Sequence, residues 1–75
     1  MPKLKCTFEF FESNILSEFG YSLHNPIDID IDNGVCICDI QGPNLEQYSD
    51  DDIVFMELNL NENQIKIKKT GKWPT

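Results

Sequence analysis

The sequence predicts an α+β fold: a small antiparallel β-sheet, made of two hairpins and an N-terminal strand, carrying one short helix. Three observations predict it. Apolar and polar residues alternate with period two through Ile27–Ile40 and again through Val54–Ile67. Each stretch is broken once by turn-forming residues, Asn33-Gly34 in the first and Asn61-Glu62-Asn63-Gln64 in the second. Near the N-terminus, Phe8, Phe11, Ile15 and Phe19 are spaced by three and four, the repeat of a helix face. With 75 residues there is room for one domain, 1–75, whose last residues, 70–75, read as a C-terminal tail.

The first element is a strand over roughly 3–11, because Leu4, Cys6, Phe8 and Phe10 alternate with Lys3, Lys5, Thr7 and Glu9. A short helix follows over roughly 13–19, with Ser13 as its N-cap and Gly20 ending it in a left-handed conformation. A single helix through 8–19 is the alternative. The next signal is Ile27-Asp-Ile-Asp-Ile-Asp32, Asn33-Gly34, Val35-Cys-Ile-Cys-Asp-Ile40. Asn-Gly supplies the two positive φ angles of a tight type I′ turn. A two-residue turn pairs Asp32 with Val35, Ile31 with Cys36 and Ile29 with Cys38. One face then collects Ile27, Ile29, Ile31, Cys36, Cys38 and Ile40, and the other collects Asp28, Asp30, Asp32, Val35, Ile37 and Asp39, with Asp39 opposite Asp28.

The segment 41–52 is a long connection, with one helical turn expected near Asn44. In the second hairpin Val54, Met56, Leu58 and Leu60 alternate with Phe55, Glu57 and Asn59, and Ile65 and Ile67 resume the apolar face. Gly71 and Pro74 are expected to stop the last strand, with Trp73 folding back on the core.

Composition limits the function. The chain has 13 acidic and 6 basic side chains, a formal net charge of −7. All the lysines lie at the ends, at 3, 5, 66, 68, 69 and 72, and no Arg occurs; every acid falls between Lys5 and Lys66. Free nucleic acid and anionic membrane surfaces are poor partners for that charge. The longest apolar run, Ile53-Val54-Phe55-Met56, is far short of a membrane span. Glu9 and Glu12 interrupt any signal-like apolar region, so a cytoplasmic location is expected. The three cysteines, Cys6, Cys36 and Cys38, read as reduced, buried, small apolar residues.

Catalytic and metal chemistry find little to stand on. His24 is the single histidine, and no phosphate-binding Gly-rich loop is present, so no enzyme, cofactor or metal is expected. Cys36-x-Cys38 lacks zinc partners at suitable spacing. Asp28, Asp30, Asp32 and Asp39 fall at positions 1, 3, 5 and 12 of a calcium-loop pattern, but Asn33 stands where the turn glycine belongs. On an extended strand those aspartates are spaced by about 6.6 Å and do not converge on an ion.

What remains is a binding surface. The expected partner-binding residues are Asp28, Asp30, Asp32, Asp39, Tyr48, Asp50, Asp51 and Asp52. The first four form an acidic row, with Val35 and Ile37 beside it, and the rest form an aromatic next to an acidic run. The expected function is a small acidic protein that occludes a basic surface on a partner protein or nucleoprotein complex, acting as a partial nucleic-acid mimic. Phage counter-defence inhibitors and immunity-type proteins belong to that class. The alternative is a structural or assembly subunit, a homodimer in the simplest case. Lys66, Lys68 and Lys69 would then either guard an edge or meet the acidic row of a neighbouring copy.

Overall fold

Strand β1 (Lys3–Thr7) turns two apolar side chains, Leu4 and Cys6, to one side and three polar ones to the other. The strand stops at Thr7 rather than running to residue 11. The Thr7 hydroxyl accepts the Phe10 N–H at 3.1 Å and so caps helix α1 (Phe8–Glu12). Continued alternation would have sent Phe11 to the opposite face from Phe8 and Phe10. A helical turn lets all three pack against the core. Ser13 therefore closes α1 instead of opening the next helix; its N–H and hydroxyl both donate to the Phe10 carbonyl. A 3-10 helix, Ile15–Phe19, follows and ends at Gly20 in the left-handed region (φ +88°), as the sequence predicts.

The remaining strands are β2 (Ser22–Asp30), β3 (Val35–Gln41), β4 (Asp52–Asn59) and β5 (Gln64–Lys72). The computed structural model describes residues 1–74. The tail reading's last residue, Thr75, lies outside the described residues. Strand β5 reaches Lys72, past the expected stop, because a register shift between Ile53 and Val54 sets Gly71 opposite Ile53.

The strand order is β2-β3-β1-β4-β5. Hairpins β2–β3 and β4–β5 are both present, but the sheet is mixed rather than antiparallel, since β1 runs parallel to β4. The reason is geometric. Strands β3 and β4 run in opposite directions, so a strand inserted between them must be parallel to one.

In the first hairpin Asp30, not Asp32, pairs with Val35, and Ile29 pairs with Cys36. Residues 31–34 form the loop. The Asp30 carboxylate takes the Asn33 backbone N–H at 3.2 Å and side-chain N–H at 2.7 Å, while Gly34 alone of the pair has a positive φ, +68°. Side-chain capping by Asp30 thus replaces the type I′ turn. As a consequence Ile31 leaves the sheet and is 80% exposed, and Ile27 and Ile29, on an edge strand, are also exposed rather than in the core.

One face of the sheet is covered. Leu4, Cys6, Cys36, Cys38, Ile40, Val54 and Met56 from the strands meet Leu16, Tyr21 and Leu45 from the connecting segments. Full burial of a Leu, Ile or Val side chain stabilises by about 1.5–3 kcal/mol, so this cluster dominates the stability. All three cysteines are free and buried. The connection after β3 has no helical turn at Asn44; that residue adopts φ +64°, and the segment plugs the core through buried Leu45. The second hairpin follows its expected alternation, with Met56 opposite Ile67 and Leu58 opposite Ile65, except that Leu60 sits exposed in the turn.

Candidate interaction surface

The covering segments all contribute to the same side of the sheet, so the other side is open. On it, cross-strand pairing groups Lys3 with Asp39, Lys5 with Ile37, Thr7 with Val35, Asp28 with Ile37 and Asp30 with Val35. Strands β4 and β5 add Phe55 beside Lys68 and Glu57 beside Lys66. A shallow groove of about 450 Å³ runs over the middle, lined by Lys5, Thr7, Val35, Ile37, Ile53 and Phe55 among others. Neither the helix nor the 41–52 connection covers Val35 and Ile37.

The aspartates separate into two groups. In the first, every carboxylate is matched by a positive group from the chain ends. Asp39 lies opposite Lys3, not Asp28, and the two meet at 2.9 Å. Asp50 pairs with the N-terminal ammonium, and the Lys3 ammonium donates to the Asp50 carbonyl at 2.9 Å. Asp51 accepts the Ser49 hydroxyl at 2.7 Å and faces Lys72 at 3.5 Å. Asp52 is buried, and its carboxylate meets Lys69 at 3.2 Å and Lys72 at 3.3 Å. The Ser49 backbone N–H donating to it at 2.9 Å, helped by the two lysines, pulls the Asp52 carboxyl down to about 2. Tyr48 packs against the core. The run at 48–52 is thus an internal fastening between the β3–β4 connection and both ends of the chain.

The second group is Asp28, Asp30 and Asp32. None of them forms an ion pair with a described residue. Asp28 and Asp30 stand on the open face, both exposed, and Asp32 lies in the turn beyond. The Asn33 side-chain amide, bonded to Asp30, holds that carboxyl below its usual value. Lys5 lines the same small hollow as Asp28 and Asp30, together with Val35 and Ile37. Insertion of β1 beside β3 brings Lys3 and Lys5, distant in sequence from these aspartates, to this face.

The structure therefore gathers Asp28, Asp30, Val35 and Ile37 on one open face, keeps Asp39 on that face in its pair with Lys3, and leaves Tyr48, Asp50, Asp51 and Asp52 engaged elsewhere. Sequence reasoning missed Phe55 and Ile53 as part of that face, although their alternation with Val54 and Met56 assigns them to it. Among the described residues no cluster of His, Cys, Asp and Glu is placed to hold a metal ion, and no helix is long and apolar enough to cross a membrane. No family model matches the chain, and no curated protein or solved structure matches it.

Proposed function

We propose that the protein is a small acidic binding protein that occludes a basic surface of a partner protein, of the kind that otherwise holds nucleic acid. The observation that carries this reading is the division of the aspartates. Asp39, Asp50, Asp51 and Asp52 have lysine or ammonium partners, whereas Asp28, Asp30 and Asp32 have none among the described residues, and Asp28 and Asp30 border Val35 and Ile37 on the open face. Unneutralised charge steers a basic partner in, and adjacent apolar surface slows its departure. Inhibitors of nucleases and immunity-type proteins work by this kind of stoichiometric coverage.

Binding of a fluorescein-labelled oligolysine peptide tests the reading. Replacing Asp28, Asp30 and Asp32 by Asn weakens the peptide by roughly tenfold and lowers its salt dependence. Replacing exposed Glu9, Glu12 and Glu18 by Gln removes the same formal charge from the helical segments and has a much smaller effect. Equal losses in the two variants would mean that total charge, not this strand, attracts the peptide.

A further inference from the structure

The two free edges of the sheet are opposite in charge and alike in pattern. Edge strand β2 carries Asp28 and Asp30 and no Lys or Arg; edge strand β5 carries Lys66, Lys68, Lys69 and Lys72 and no acid. The chain's own ion pairs use Lys69 and Lys72 and leave Lys66 and Lys68 without one among the described residues. Between the charges stand isoleucines: Ile29 and Ile31 alternate with Asp28 and Asp30, and Ile65 and Ile67 alternate with Lys66 and Lys68. Ile29 is 55% and Ile31 80% exposed, a high value for apolar side chains beside a free strand edge.

We propose that the β2 edge of one copy pairs antiparallel with the β5 edge of a second copy, setting Asp28 against Lys68, Ile29 against Ile67 and Asp30 against Lys66. This inference rests on the same acidic strand as the proposed function and names a partner for it. Strand direction permits the pairing. Strand β2 is antiparallel to β3, β3 to β1, and β4 to β5, while β1 and β4 are parallel, so β2 and β5 run in opposite senses. Placing a second copy beside the first, same face up, therefore continues the sheet with an antiparallel pair. Faces agree as well. Asp28 and Asp30 share the open face with Lys66 and Lys68, and Ile29, opposite Cys36, shares the core side with Ile67, opposite Met56. With one residue aligned, antiparallel register aligns the other two.

Charge also selects against the wrong pairings, because two β2 edges or two β5 edges would oppose like charges. Pro26 and the register shifts between Leu23 and Asp28 confine regular pairing on β2 to Asp28–Asp30. The junction is short, so association is reversible, and it is head-to-tail, leaving a free edge of each kind on every assembly.

Sedimentation equilibrium of the full chain from micromolar to millimolar concentration, at low salt, tests this. Wild type shows a weight-average mass that rises with concentration. The exposed single reversals D28K and K68E each weaken association by roughly fivefold, and an equimolar mixture of the two recovers it through the restored Lys–Glu and native junctions. I29D, which sets a carboxylate against Ile67, abolishes association while its thermal unfolding stays cooperative. A wild type that remains monomeric, or reversals that leave the mass unchanged, overturns the proposal. A monomer that still loses oligolysine when Asp28, Asp30 and Asp32 become Asn overturns this inference alone. Intact association with no oligolysine binding overturns the proposed function alone.

Discussion

Lys3 and Asp39 face each other across β1 and β3, and their side chains meet at 2.9 Å in a partly buried ion pair. The pair ties the central strand to the first hairpin, and the same ammonium donates to the Asp50 carbonyl, tying in the β3–β4 connection. Lys3→Met should therefore destabilise by about 1–2 kcal/mol in urea unfolding, more than an ordinary surface ion pair, because it strands a half-buried carboxylate. Adding Asp39→Asn to it should recover part of that loss.

Asp52 predicts an acid-sensitive limb. Its carboxyl lies at about 2, against 3.8 for an unperturbed aspartate. A lowered native value means that the ionised form stabilises the fold above the unfolded value, and that this contribution is lost as pH falls from about 4 toward 2. Thermal midpoints measured across that window should fall with pH in wild type, and Asp52→Asn should show a shallower fall and a lower plateau at neutral pH.

Two glycines should respond differently to alanine. A Cβ at Gly42 would stand 2.3 Å from the Tyr21 ring and 3.0 Å from the Gly20 carbonyl oxygen, so the connection must shift off the core. At Gly34 nothing lies within 4 Å, and only the positive φ is strained. Gly34→Ala should cost about 1 kcal/mol, and Gly42→Ala about 1–3 kcal/mol, measured by chemical unfolding.

The cysteines should be inert in the native state. Burial pushes the Cys36 thiol up to about 11, and the Cys6 thiol is pushed higher still by its hydrogen bond with Cys38 and by burial. Thiol-reactive reagent at pH 8 should label the three only at the rate at which the domain opens, and all at once in urea.

Much of this architecture is written locally. Val54, Met56, Leu58, Ile65 and Ile67 give the second hairpin its register, since a one-residue slip would expose them all. In the first hairpin a two-residue slip keeps every side chain on its face, so alternation does not separate the Asn33-Gly34 type I′ turn from the loop that Asp30 caps. Long-range order leaves no local trace: nothing in Leu4 or Cys6 says that β1 lies between two hairpins and parallel to one neighbour. The separation of lysines at the chain ends from acids in the middle was plain in the sequence. Which acids those lysines reach was not, because that depends on β1 lying beside β3, where Lys3 meets Asp39, and on β5 lying beside β4, where Lys69 and Lys72 close on Asp51 and Asp52.

On the proposed function, Asp28, Asp30 and Asp32, and not the acidic run after Tyr48, receive a basic partner. Amide chemical-shift mapping by NMR during titration with oligolysine, at protein concentrations low enough to keep the chain monomeric, tests it most directly. The largest shifts are expected in residues 28–37, with little change at 48–52. Shifts concentrated at Ser49, Asp50, Asp51 and Lys72 would contradict it.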